Sequence, residues 1–196
     1  MRRKVFDTLL TTGGLVVTAV LLIAGVLLMW GHNFANSNVR DQLAQQQIFF
    51  PASGSPALAP PQIGPYLNRY AGQQLLTGPQ AKAYADHFIG VHLSEVAGGK
   101  TYAQVSTAAQ ADPTNAALKA QAATLFQGST LRGLLLEAYA FSVIGSLALI
   151  AAVCSFALAG IMLALALLGF WHLRKVPETA EVLSGRHSRT LQPSMA

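Results

Sequence analysis

The sequence predicts an all-α membrane protein, with two transmembrane helices and a small extracytoplasmic helical domain between them. Two apolar runs carry the membrane prediction: the 22 residues from Leu9 to Trp30 and the 34 residues from Ala138 to Trp171 contain no Lys, Arg, Asp or Glu. Runs of about 18 or more such residues are typical of helices that cross a bilayer. Between the two runs, no segment shows the period-two alternation of a half-buried strand, which favours helices there.

The composition and the distribution of charge support this prediction. Of the 196 residues, 52% are hydrophobic and 11% are charged, whereas soluble domains contain about 25% charged residues. The net charge of +5 is concentrated at the ends, with +2 in residues 1–8, +2 in residues 174–196 and +1 in residues 31–137. This positive-inside pattern predicts a protein of the cell membrane with both termini in the cytoplasm. No basic face remains for nucleic acid, so the lipid bilayer is the expected partner.

The first apolar run gives the predicted transmembrane helix 9–30, which follows a basic N-terminus at 1–8. A cleavable signal peptide is the alternative, since it also has a basic start and an apolar core. Signal-peptide cores usually have about 7 to 15 residues, and the segment after Trp30 offers no good small-x-small cleavage site. We therefore expect an uncleaved anchor.

Residues 31–137 form the predicted extracytoplasmic domain, which contains a Pro-rich loop at 51–65 with five prolines. Proline lacks an amide donor and restricts the residue before it, so we expect an extended loop there. Capping and turn signals divide the rest of the domain into helices. The expected helices are 36–47, 65–76, 79–96, a short one opened by a Thr101–Gln104 capping box, and one opened by Asp112-Pro113 that ends near Phe126.

The second apolar run gives the predicted transmembrane helix 138–173, which is longer than a bilayer requires. At about 1.5 Å per residue, 34 helical residues reach roughly 50 Å, against about 30 Å of hydrocarbon. We expect a break at Gln127-Gly128-Ser129, a helix that begins near Thr130, and an outer end of this helix that stands above the bilayer. The tail at 174–196 is expected to be cytoplasmic and disordered.

Small residues in the second run are candidates for helix packing. Ala151, Ser155 and Ala159 recur every four residues and predict a ridge that lets another helix approach closely. Gly145, Gly160 and Ala164 extend a second, adjacent ridge in this interpretation. The residues of the first run that could meet these ridges are Gly14, Thr18 and Gly25.

Two charged residues near the outer end of the second run are further interaction candidates. Arg132 and Glu137 are five residues apart, which places them poorly for pairing with each other on one helix. Each is therefore expected to reach another helix, with Arg40 and Asp41 as candidate partners. The alternative is ordinary interfacial charge.

The densest polar cluster contains His87, His92 and Glu95. Two histidines that bind a metal on one helix are usually four residues apart, so that they share a face. Here they are five apart and diverge by roughly 140°. We predict no catalytic, cofactor-binding or metal-binding residues and no cofactor.

Three segments resemble a known family: residues 2–14 (RRKVFDTLLTTGG), 41–51 (DQLAQQQIFFP) and 126–140 (FQGSTLRGLLLEAYA). The chain resembles a family of uncharacterised actinobacterial two-span membrane proteins, whose members are often labelled aromatic ring-opening dioxygenases. That label implies two histidines and a carboxylate around iron, for which only His87, His92 and Glu95 could be nominated. The resemblance implies the topology and the source, and it adds no activity.

The sequence thus leads to a hypothesis about class rather than about a reaction. We expect a non-enzymatic integral membrane protein that is a structural or accessory subunit of an envelope or membrane complex, or a homo-oligomer. The alternative is an extracytoplasmic sensor or ligand-binding module that relays through a partner. A metal-dependent enzyme and a two-helix channel are further alternatives.

Overall fold

The computed structural model of the protein describes residues 3–175 and Pro177. Apart from Arg174, Lys175 and Pro177, the predicted tail at 174–196 lies outside the described residues. The described part is helical, and its only extended pairing is an isolated bridge between Phe49 and Gln74. The helices are α1 (Arg3–Gln46), α2 (Gly64–Leu67), α3 (Gly78–Tyr84), α4 (Gly90–Ala97), α5 (Tyr102–Ala111) and α6 (Ala116–Leu173).

Helices α1 and α6 confirm the prediction of two long apolar helices. α1 has 44 residues and α6 has 58, and both are long and apolar enough to cross a membrane. The predicted helix 36–47 is the last part of α1, which continues without a break from the first apolar run. The chain divides into two compact units: a two-helix unit (Met1–Leu27 with Ala151–Ala196) and a central unit (Leu28–Ile150).

In the two-helix unit, α1 and α6 run antiparallel and meet through small residues. A Cβ added to Gly14 would lie 3.7 Å from the Cβ of Ala166, and one added to Gly169 would lie 2.6 Å from the Thr11 hydroxyl. Burial repeats every seven residues on both helices, the spacing of a left-handed helix pair. The buried seam consists of Thr11, Thr18 and Gly25 on α1 and Ala152, Ala159 and Ala166 on α6.

In the central unit, the segment between α1 and α3 folds into a plug that supplies most of the core. Phe50 packs edge-on against Tyr84, with ring centroids 5.4 Å apart. Backbone hydrogen bonds hold the plug together, from the Phe50 amide to the Gln73 carbonyl and from the Leu75 amide to the Ile48 carbonyl, both 2.9 Å. The core residues are Val39, Leu43, Phe50, Leu58, Ile63, Leu67, Leu75, Ala81, Ala83, Ala85, Ile89 and Leu135.

The expected loop and helix around the prolines differ from the structure. The Pro-rich segment contains a 3-10 turn at Pro56–Leu58, because the Ser55 hydroxyl accepts from the Ala57 amide and caps it. The expected helix 65–76 ends early: α2 stops at Leu67, a 3-10 turn follows at Asn68–Tyr70, and Gly72 takes a φ of +71°. A left-handed residue of this kind cannot continue a helix, so the chain turns back to pair with Phe49.

The beginning of α6 also differs from its prediction. Asp112 ends α5, and the Asn115 side chain caps the next helix by accepting from the Leu118 amide at 3.1 Å. The expected break at 127–129 and the helix start near Thr130 are wrong, since α6 is continuous from Ala116. Gly128 is needed for packing instead, because a Cβ there would overlap the side chain of Leu93.

Gly78, at the start of α3, allows a comparable close approach to α6. A Cβ at Gly78 would overlap the Ser142 side chain and lie 3.3 Å from the Tyr139 Cα, whereas a Cβ at Gly133 meets nothing within 4 Å. Gly78→Ala should lower the free energy of unfolding by about 1–3 kcal/mol through overpacking. Gly133→Ala should leave it unchanged or raise it by up to about 1 kcal/mol, because alanine favours helix.

The measurement is the loss of far-UV circular dichroism when purified protein in mild detergent is titrated with a denaturing detergent. Equal stability of the two variants would contradict the close contact between α3 and α6.

Candidate functional site

The candidate site begins at a π-turn (Ala85–Ile89) between α3 and α4, in the middle of the predicted helix 79–96. The Gly90 amide donates to the Ala85 carbonyl, five residues back. The same carbonyl accepts a second hydrogen bond, 3.2 Å long, from Nε of Arg132 on α6. π-turns inside helices occur frequently at functional sites, and this one joins the α3–α4 segment to α6.

Asp86, the next residue, lies between two cations. Its Oδ2 is 2.6 Å from Nζ of Lys82, one helical turn earlier, and its Oδ1 accepts from Nη2 of Arg132 at 2.9 Å. The three side chains are 23%, 46% and 42% exposed, respectively, so the cluster is partly open to solvent. Arg132 is held at both Nε and Nη2, which fixes the plane of its guanidinium group.

The two cations keep the Asp86 carboxyl ionised. The hydrogen bond from Lys82 lowers the pKa of Asp86 most, burial opposes this effect, and the hydrogen bond from Arg132 lowers the pKa further. The hydrogen bond to Asp86 in turn raises the pKa of Lys82. Two cations and one anion leave an excess of one positive charge at the cluster.

A groove of about 570 Å³ opens beside this cluster, and we call it the polar groove. Asp86 and Arg132 lie at one end of its lining in sequence terms, and Lys100 follows the left-handed residue Gly99. The remaining lining combines hydroxyl and apolar side chains: Val91, Leu93, Ser94, Thr101, Tyr102, Leu125 and Ser129. This arrangement offers cationic and hydroxyl donors next to an apolar wall.

A second groove, of about 450 Å³, lies between the last turns of α1 and the middle of α6, and we call it the apolar groove. Leu131, Leu134 and Phe141 line it and are 38%, 58% and 39% exposed. Glu137 is its one ionisable lining residue. The groove therefore presents large exposed apolar side chains to a binding partner.

The predicted interaction residues fall in different places. Arg132 does reach another helical segment, as expected, but its partner is Asp86 and not Asp41. Asp86 is preferred because the π-turn places its carboxylate and the Ala85 carbonyl side by side. Glu137 lines the apolar groove.

The small residues of the second run do not all face the same way. Ala159 is buried in the seam, whereas Ala151 and Ser155 are half-buried beside it. The expected second ridge is wrong: Gly145 approaches Ala35, with a Cβ–Cβ distance of 3.0 Å if a Cβ is added, but Gly160 has nothing within 4 Å. The seven-residue spacing of the seam, and not a four-residue spacing, decides which positions are covered.

The two histidines of the predicted polar cluster make separate contacts. The His87 ring stacks on Tyr66, with centroids 3.5 Å apart and planes within 3°. Nδ1 of His92 lies 2.7 Å from the Phe88 carbonyl, to which it donates. Among residues 3–175 and Pro177, no group of three or more His, Cys, Asp or Glu side chains could hold a metal ion.

Sequence reasoning missed Asp86 and Lys82 as members of the site. Their i, i+4 spacing on a helix was a readable signal for an ion pair, but nothing local indicated that Arg132, 46 residues later, would join them. The hydrogen bond between His32 and the Gly145 carbonyl, 2.8 Å long, was also missed. The carbonyl only accepts, so Nδ1 of His32 carries the proton in this contact.

The chain was compared with protein-family models, with curated proteins and with solved structures, and none of them matches it. The resemblance stated from the sequence therefore stays a prediction.

Asp86→Asn should lower the free energy of unfolding by about 1 kcal/mol at pH 7, near the upper end for a partly exposed ion pair. The folded pKa of Asp86 is below its ordinary value of 3.8, so this stabilisation is present above that value and is lost as pH falls through the folded pKa. The raised pKa of Lys82 places the alkaline limit above its ordinary value of 10.5. The difference between wild type and variant should thus be constant from pH 5 to pH 9 and should shrink at lower pH.

The matched control is Asp41→Asn, at an exposed position on α1, which should change stability by less than about 0.5 kcal/mol. Denaturing-detergent titrations at pH 7 and pH 3 measure both variants. An Asp86→Asn effect that is equal at the two pH values would show that the charge of Asp86 does not stabilise the fold.

Proposed function

We propose that this protein is an integral protein of the cell membrane, with both termini in the cytoplasm and residues 31–137 outside. In this proposal it is a non-enzymatic structural or accessory subunit of an envelope complex, or a homo-oligomer. The inverted burial pattern of the two-helix unit carries the proposal.

In this unit the small residues are inside and the large apolar ones outside. The seam buries threonine, glycine and alanine, while Leu10, Ile23 and Leu168 are 67%, 62% and 59% exposed. A water-soluble helix pair would bury its large apolar side chains, since their transfer from water drives folding. In lipid there is no such drive, and close packing of small residues associates the helices. The seam threonines fit this environment, because Thr11 and Thr18 donate to their own helix, at the Asp7 and Gly14 carbonyls.

The ends of the helix pair support a cytoplasmic position for both termini. Because α1 and α6 are antiparallel, Asp7 and His172 come within 4.0 Å of each other. Arg3 lies 3.9 Å from Asp7, and Nζ of Lys175 lies 3.6 Å from the Trp171 ring centroid. Basic residues from both ends of the chain are thus collected at one end of the unit, where the positive-inside rule places the cytoplasm.

A subunit role is supported by the side chains of the central unit. Asp86, His87 and His92, the residues best suited to chemistry, are engaged in contacts that hold the fold. The apolar groove, in contrast, exposes Leu131, Leu134 and Phe141. Exposed apolar side chains grouped in a groove are typical of interaction surfaces.

The topology is tested with single cysteines in a Cys154→Ala background, which removes the only native thiol. Thr114→Cys, in the turn between α5 and α6, should react with a membrane-impermeant maleimide in intact cells. Arg174→Cys should react only after lysis. The reverse pattern would place the central unit in the cytoplasm and refute the proposed topology.

Assembly is tested by native mass measurement after extraction in mild detergent. We expect a homo-oligomer or a co-purifying subunit, and we expect Leu134→Gln to reduce the assembled fraction at least fivefold. Val96→Gln is the matched control, because Val96 is also exposed (45%) but does not line the apolar groove. Only monomers in the wild type, with no second chain, would contradict a subunit role.

One observation favours the alternative of an extracytoplasmic ligand-binding module that relays through a partner. The polar groove places cationic and hydroxyl side chains around an open volume of about 570 Å³. That volume is within the range of about 300–1,000 Å³ found for small-molecule sites.

A further inference from the structure

We propose that the polar groove binds a phosphate group carried by a small polyol, either a soluble phosphorylated polyol or a phospholipid head group. The inference stands apart from the membrane topology proposed above, because every residue that lines the groove belongs to the central unit.

The charge of the groove is the first argument. Asp86 is the one acidic residue in its lining, and that carboxylate is already paired with Lys82 and Arg132. Lys100 adds a further cation to the lining. The surroundings of the groove thus carry an excess of two positive charges, whereas residues 31–137 as a whole carry only +1. The groove attracts an anion more strongly than the rest of the domain does.

The second argument is the fixed orientation of Arg132. Its Nε is bonded to the Ala85 carbonyl and its Nη2 to Asp86, at 3.2 and 2.9 Å. Within the part of the chain that the structure describes, Nη1 has no such bond, so its two N–H groups are available in the groove. Because two of the three nitrogens are anchored, little side-chain entropy remains to be lost when an anion binds. Charge-assisted hydrogen bonds from arginine suit phosphate oxygens.

The rest of the lining indicates a ligand larger than a free ion. Ser94, Ser129 and Tyr102 bring hydroxyl groups that can bond sugar or glycerol hydroxyls, and Leu93 and Leu125 form an apolar wall. A polyol phosphate would use both kinds of surface. A phosphate oxygen would be held by Arg132 and Lys100, with the carbon skeleton along the leucines.

The experiment uses the full chain in nanodiscs of phosphatidylcholine, whose head group carries no net charge. Isothermal titration calorimetry with glycerol 3-phosphate, at low salt to limit screening, should give saturable binding. Lys100→Gln should weaken that binding at least tenfold. Lys119→Gln, an exposed lysine on α6 that does not line the groove, should leave it unchanged.

A third variant separates the guanidinium geometry from the charge. Arg132→Lys keeps the positive charge but loses the planar fork, so it should also bind at least fivefold more weakly, while its far-UV spectrum shows whether the helices are retained. No saturable binding by the wild type, or equal loss in Lys100→Gln and Lys119→Gln, would overturn the proposal.

Two probes distinguish the sources of the phosphate. Dihexanoyl phosphatidic acid, titrated below its micellar concentration, should bind at least tenfold more tightly than glycerol 3-phosphate if the ligand is a lipid head group. Equal or weaker binding assigns the groove to a soluble polyol phosphate. Failure of these titrations would leave the cysteine-labelling and native-mass results standing, so the two proposals fail separately.

Discussion

The close approach of α1 and α6 is the constraint on which the rest of the structure depends. In the two-helix unit it is achieved by glycine, alanine and threonine at seven-residue spacing. In the central unit, Gly145 comes so close to Ala35 that an added Cβ would lie 3.0 Å from the Ala35 Cβ. His32 donates to the Gly145 carbonyl at the same level, which adds a direction-dependent bond to a contact that packing alone would leave free to slide.

Much of the fold could be predicted from the sequence, because its strongest signals are local. Charge-free runs gave the two long helices, Gly98 with its positive φ ends α4 as expected, and the Thr101–Gln104 capping box forms. The errors arose where a glycine or a proline had a tertiary role. Gly128 was interpreted as a helix break, yet it lies inside α6 where the Leu93 side chain packs against it. A glycine that makes room for a neighbour and a glycine that ends a helix look the same until the neighbour is known.

The candidate site was less predictable for a related reason. The ion pair of Lys82 with Asp86 follows from their spacing, but the π-turn does not, since it depends on the second hydrogen bond that Arg132 gives to the Ala85 carbonyl. The choice of Asp86 over Asp41 as the partner of Arg132 was equally invisible. Both carboxylates are available by composition, and only the folded backbone of the plug and α3 decides which one α6 meets.

The excess length of the second apolar run has a further cause that its composition conceals. Of its 34 residues, the 13 from Ala138 to Ile150 belong to the central unit. Ser142 in this stretch packs against Gly78, and Gly145 against Ala35, so these positions are small and uncharged because other helices touch them. A charge at either one would be buried without a partner, which is costly in protein and lipid alike. The absence of charge therefore reports contact with protein as well as with lipid, and the length of such a run gives only an upper bound on the thickness that its helix crosses.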